Sequence, residues 1–254
     1  MLTRHKCGGT ILNSLHVLTA THCLTNLKRY YCKYLRVVAG INKLSNQGSG
    51  AQIRSIKRIK MHEDFNTRTL DNDVALLRLS FCSSSMSTSN RPAPLIMSAM
   101  RTTSTSGTVS SLDGGAPYSK VGDPVNTLQE AEVQLFDRRK CNQISWYPGL
   151  ITRIHDLCWT GERSGDSGGP LQCYSQTENR FYLVGVSSHG KKCGRPQKPG
   201  AYARISRYAD WLSSGQTALA SSASGLNTGA ISAGFTSTPT LLGYILFVII
   251  KHLC

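Results

Sequence analysis

The chain has 254 residues, 40% of them hydrophobic and 17% charged, which is enough apolar material for a sizeable buried core. No internal repeat is visible, so repeat architectures are set aside. The 29 basic residues against 14 acidic ones give a net charge of +15. That charge, concentrated locally at 28–36 and 54–60, makes acidic glycans candidate partners, but no nucleic-acid motif accompanies it and nucleic acid is excluded.

In chain order, Leu18-Thr19-Ala20-Thr21-His22-Cys23 is a strand-like lead-in ending in a histidine that its neighbouring cysteine can tether. Asp71-Asn72-Asp73 stands immediately before Val74-Ala75-Leu76-Leu77, a run that reads as a buried strand. Asp73 abuts that strand and is therefore favoured over Asp71 as the buried carboxylate. Residues 83–104, rich in Ser, Thr and Met with two prolines, read as a connector. Gly165-Asp166-Ser167-Gly168-Gly169-Pro170-Leu171 places a hydroxyl between glycines that permit close backbone approach. The N–H groups of Gly165 and Ser167 can point together at one oxyanion. These segments compose a chemistry: Ser167 as nucleophile, His22 as base, Asp73 to fix the tautomer and stabilise the imidazolium.

In that order, His, Asp, Ser, the segments resemble the chymotrypsin/trypsin family of serine proteases. Further likenesses are Cys7-Gly8-Gly9-Thr10-Ile11-Leu12, Leu128-Gln129-Glu130-Ala131-Glu132-Val133 and Lys198-Pro199-Gly200-Ala201-Tyr202-Ala203-Arg204-Ile205. The resemblance runs from about Cys7 to Leu212 and assigns a protease domain to residues 1–212. It implies an all-β fold of two antiparallel six-stranded β-barrels, the first over about 1–82 and the second over about 105–205. A short C-terminal helix over about 206–212 would pack on the second barrel, and the first strand of barrel one is missing. The site would lie in the cleft between the barrels.

The resemblance also implies a disulfide between Cys7 and Cys23 and another between Cys141 and Cys158. Cys173 and Cys193 lack their usual partners, and Cys32, Cys82 and Cys254 stay unassigned, with Cys32 to Cys82 an open alternative. Nine cysteines indicate an oxidising compartment, so the expected location is secreted or on the extracellular face of the plasma membrane. Cysteine and histidine spacing does not support zinc, and no metal or cofactor is expected. The floor of the specificity pocket falls on Gly161 or, with a one-residue shift, on Glu162, which would select Arg or Lys. Gly190 and Gly200 leave its walls open, Ser188 matches a family serine that bonds the triad aspartate, and His189 stands where the family usually has tryptophan.

Active members carry a released ammonium beside the aspartate that precedes the nucleophile, here Asp166. This chain opens Met1-Leu2-Thr3-Arg4-His5-Lys6-Cys7 with no activation site or signal peptide. It reads either as N-terminally incomplete or as a non-catalytic relative. The expected function is accordingly a serine endopeptidase acting on protein or peptide substrates, with protein protease inhibitors as further partners; the alternative is an inactive homologue that serves as a binding protein. Residues 213–240, dominated by Ser, Ala, Gly and Thr, read as a stalk. Residues 241–254 hold the apolar run Leu241–Ile250, too short to span a bilayer comfortably. They resemble a glycolipid-anchor signal, with Asn227-Thr228-Gly229 or Ser222-Ala223-Ser224 as attachment sites. A membrane helix or a disordered tail is the alternative.

Overall fold

The computed structural model describes residues 3–25, 34–45, 50–80, 109–113, 127–136, 138–149, 151–152, 157–160, 167–175, 180–190, 200–221 and 249–253. The fold is mostly β, in two halves. The N-terminal half contributes β1 (Thr3–Cys7), β2 (Thr10–Ile11), β3 (His16–Thr19), the single-turn helix α1 (His22–Thr25), β4 (Leu35–Ala39), β5 (Gln52–Met61) and β6 (Ala75–Leu79). The C-terminal half contributes β7 (Val109–Asp113), β8 (Gln129–Phe136), α2 (Arg138–Cys141), β9 (Leu157–Thr160), β10 (Pro170–Ser175), β11 (Arg180–His189) and β12 (Gly200–Arg204). A 3-10 turn (Ile205–Arg207), α3 (Ala209–Ser221) and β13 (Ile249–Leu253) follow.

β10-β11-β12-β9-β8-β7 form a closed antiparallel barrel, with β7 paired to both β8 and β10. The first half is a seven-stranded sheet in the order β1-β13-β4-β5-β6-β3-β2. It differs from the expected six strands for two reasons. Gly8 and Gly9, which weaken a strand interior, separate β1 from β2. In addition, β13 is drawn from the far end of the chain and inserted between β1 and β4.

β3 lies in the strand-like lead-in to His22, and β6 is the run that the sequence marks as buried. Val17, Leu18, Ala75, Leu76 and Leu77 are fully enclosed, and the two strands pair from His16 with Arg78 to Thr19 with Ala75. Their side chains belong to one cluster that also takes in Leu183, Val186 and Ala203 of the C-terminal barrel and Leu212 and Leu219 of α3. A shared apolar core thus fixes the two halves against each other, and burial of this kind contributes about 1.5–3 kcal/mol for each large side chain.

The terminal helix departs from expectation in extent and in place. It continues to Ser221, nine residues into the segment read as stalk from its small, polar composition. Leu212, Gly215 and Leu219 recur at helical spacing and form its buried stripe. It also lies on the first sheet, not on the second barrel. A Cβ at Gly215 would sit 3.3 Å from Leu76 Cδ2 and 3.4 Å from Lys60 Cδ. Asn13 Nδ2 donates to Gln216 Oε1 at 2.7 Å, Arg78 Nη1 donates to the Leu219 carbonyl, and Trp211 Nε1 donates to Glu63 Oε2 at 2.7 Å. The turn at Ile205–Arg207 redirects the chain from the end of β12 onto β5 and β6, where the absence of a side chain at Gly215 allows close approach.

Candidate active site

His22 begins α1 directly after the buried segment Val17–Thr21. Thr21 Oγ1 donates to the Val74 carbonyl at 2.7 Å, which brings the histidine turn alongside the residue after Asp73. Asp73 is fully buried and receives three donors. Its Oδ1 accepts the His22 backbone N–H at 2.8 Å, and its Oδ2 accepts from His22 Nδ1 and Ser188 Oγ, both at 2.6 Å. Burial would raise the Asp73 carboxyl, but the bonds from His22 and Ser188 and the nearby histidine outweigh it, so the carboxyl lies below its ordinary range. Because a carboxylate only accepts, the proton of a neutral His22 sits on Nδ1 and leaves Nε2 with its lone pair free. The His22 side chain keeps 26% of its surface exposed, enough for a substrate to meet it.

Asp71 has a different role. Thr69 Oγ1 donates to its Oδ2 at 2.9 Å, and Thr152 Oγ1, from the C-terminal half, donates to its Oδ1 at 2.7 Å. The turn around it is tight: Leu70 has φ 59° and Asn72 φ 58°. Asn tolerates that left-handed conformation with its amide bonded to the Asp64 carbonyl at 3.0 Å, whereas a leucine adopts it only under constraint from its surroundings.

Ser167 is held through its backbone. Its carbonyl accepts the Gly8 N–H at 2.8 Å, while the following Gly168 N–H donates to the Ser187 carbonyl at 2.8 Å. Gly168 has φ +82°, and a Cβ there would lie 2.3 Å from Thr19 Oγ1 and 2.7 Å from the Gly8 oxygen. Glycine is required on both counts. Thr19 Oγ1 in turn donates to the Gly8 carbonyl at 2.8 Å. The Cys7–Cys23 disulfide, with Cα atoms 6.2 Å apart, completes this junction. Its Cys23 sulfur lies 3.8 Å from His22 Nε2 and 3.7 Å from the Ser167 carbonyl oxygen, so one atom touches both the base and the serine peptide. Among the described residues the Ser167 hydroxyl makes no hydrogen bond to His22; such bonds often tighten only with substrate bound. Sequence reading gave the glycines beside Ser167 a role in close backbone approach but missed the parts played by Gly8, Thr19, Thr21 and Thr152, although the glycine pair after Cys7 was a usable signal.

Cys7, His22 and Cys23 bring three ligand-type atoms within 4.8 Å of one another. Both sulfurs are consumed by the disulfide, however, and neither is a thiolate that could hold a metal. Cys141 is also disulfide-bonded, and the side chain of Cys158 lies outside the described residues. Cys173 is free and half-buried, with its thiol pushed up by burial. Cys32, Cys82, Cys193 and Cys254 lie outside the described residues, as do Gly161, Glu162, Gly165 and Asp166. Of the expected subsite residues, Ser188 is buried against Asp73, the exposed Gly190 follows the end of β11, and Gly200 opens β12 beside the Tyr202 ring. His189 Nδ1 lies 3.4 Å from Ser188 Oγ.

The profile of the trypsin family matches residues 1–212. Coagulation factor XII of Bos taurus is 32% identical over 220 residues, covering 82% of this chain and 36% of that protein. Transmembrane protease serine 11C of Mus musculus is 32% identical over 222 residues, covering 83% of this chain and 48% of that protein. The chain therefore spans less than half the length of either relative. With its antiparallel β halves, shared core and C-terminal helix, it belongs to the trypsin family.

Proposed function

We infer that this protein is a serine endopeptidase in which Ser167, His22 and Asp73 form the catalytic triad. The observation that carries the reading is the shared Asp73 oxygen, which holds His22 in the tautomer whose Nε2 is a proton acceptor, 3.8 Å from the Cys23 sulfur that also lies 3.7 Å from the Ser167 carbonyl oxygen. In this mechanism Ser167 Oγ attacks the scissile carbonyl and Nε2 takes its proton. The resulting imidazolium is stabilised by the buried carboxylate and then protonates the leaving amine, giving an acyl-enzyme that water hydrolyses by the same route in reverse. The N–H groups of Gly165 and Ser167 bind the oxyanion, and Asp166 pairs with an ammonium that keeps the Gly165 amide aligned. Gly190 and Gly200 border the specificity pocket over Gly161 or Glu162. The substrates are extracellular proteins or peptides, in keeping with the disulfide at the site and with the kinds of protein that this chain resembles.

The test is covalent labelling by a fluorophosphonate, with the folded protein assayed both as it stands and with a protease-releasable Ile-Val-Gly-Gly segment placed ahead of Met1. Labelling at Ser167 that disappears in Ser167→Ala and His22→Ala is expected, with turnover lost by several orders of magnitude. Asp73→Asn should cost about 10⁴ in kcat through the wrong tautomer. Failure of both forms to label, with the protein shown to be folded, would leave the inactive binding homologue as the correct reading.

A further inference from the structure

β13 uses both of its backbone edges. On one side Thr3 pairs with Leu253, Arg4 with His252, His5 with Lys251 and Cys7 with Ile250. On the other, Ile249 pairs with Val38, Ile250 with Val37, Lys251 with Arg36 and His252 with Leu35. β13 is the neighbour that connects β1 to the rest of its sheet in the strand order. Its sequence suits the place, since Ile249 and Ile250 are β-branched residues favoured in strands.

We propose that the C-terminal segment is a structural strand of the protease domain, a clasp that holds β1 against β4 and thereby sets the position of the last residue of β1 and of the one that follows it. Those residues are the ones that meet the site: Cys7 is bonded to Cys23 beside His22, and the Gly8 N–H holds the Ser167 carbonyl. With β13 removed, the facing N–H and C=O groups of β1 and β4 become open edges. β4 is a core strand, with Leu35, Val37 and Val38 at 0%, 2% and 1% exposure, so an open edge there lies next to the apolar interior. The clasp and a processed anchor exclude each other, because replacing everything beyond the attachment residue by a glycolipid, or moving residues 241–254 into a bilayer, would take β13 away.

Register-directed cross-linking in the full chain tests this without deleting anything. His5→Cys combined with Lys251→Cys places two thiols on directly paired residues, within the Cα separation that a disulfide spans. The cross-linked peptide is expected by mass spectrometry under non-reducing conditions, and the off-register pair His5→Cys with Leu253→Cys should give little of it. Hydrogen exchange supplies an independent reading. In a chain ending at residue 240, amides of β1 and β4 should lose protection on the order of a hundredfold, and a synthetic peptide of residues 241–254 added in trans should restore it. Absence of the in-register cross-link in folded protein would overturn the proposal. So would unchanged protection in the shortened chain, or release of a processed protein by a phosphatidylinositol-specific phospholipase. None of these readouts depends on peptidase activity.

Discussion

The backbone N–H of Gly8 donates to the carbonyl oxygen of Ser167 at 2.8 Å, joining the first sheet to the second barrel at the candidate nucleophile's own peptide. Gly168 lets the chain pass Gly8 at this distance. Gly168→Ala places a methyl group against Thr19 Oγ1 and the Gly8 oxygen in a backbone conformation that alanine resists. Overpacking of this kind typically costs about 1–3 kcal/mol, and the strained φ adds to it. Urea unfolding should show the loss. Gly168→Ala with Thr19→Ala should recover little of it, because the Gly8 carbonyl cannot be trimmed away.

Removing the Cys7–Cys23 bridge by Cys7→Ser with Cys23→Ser opens a loop between residues 16 apart in sequence. The expected cost is about 3 kcal/mol. Peptidase activity should fall by more than the folded fraction falls, because the same sulfur positions His22 and the Ser167 peptide. Equal losses of folded fraction and activity would confine the bridge to a stability role.

Ser188→Ala removes one of the two donors on Asp73 Oδ2. Hydrogen bonds to a buried charge contribute about 1.5–3 kcal/mol, and that much stability should be lost at neutral pH. The folded carboxyl lies below its unfolded value of 3.8, so its contribution is present above that pH and disappears as pH falls through the folded pKa. In the variant the carboxyl rises toward the unfolded value, and the midpoint of acid unfolding should move to higher pH. Following unfolding by circular dichroism from pH 6 to pH 2 measures the shift.

His16 is 5% exposed, with Nδ1 bonded to Asn13 Oδ1 at 3.0 Å and Nε2 buried without a partner. Burial first, then the Arg78 charge, holds its pKa below the unfolded value of 6.5. The unfolded chain therefore takes up the proton first. Stability is complete above about pH 6.5 and declines as pH falls below it. His62 shifts in the same direction, chiefly by burial. Denaturant midpoints should drop between pH 7 and pH 5, and His16→Gln should flatten that slope.

Leu219, 7% exposed in the shared core, tests whether α3 packs beyond Leu212. Leu219→Ala should cost about 2–5 kcal/mol, whereas a residue in an unpacked stalk would change stability by less than about 0.5 kcal/mol. Thermal melts separate these outcomes.

The sequence by itself determined the family and the all-β class, because motifs around His22, Asp73 and Ser167 are local strings, residues 18–23 read as a strand-like lead-in and the run at 74–77 carries the signature of a buried strand. It also favoured Asp73 over Asp71 from adjacency to such a run, and in the structure Asp73 is the one that contacts His22. Tertiary structure decided what depends on distant partners. Nothing local in Gly8 or Thr19 marks them as neighbours of Gly168, since that contact exists only once the halves dock. The helical stripe Leu212, Gly215 and Leu219 is diluted by small and polar residues, so it becomes legible only against Leu76 and Lys60. The apolar run before Cys254 has the composition of a membrane-seeking tail and of a buried strand alike. Its pairing with β1 and β4 arises from two strand edges separated from it by more than two hundred residues, which no local pattern encodes.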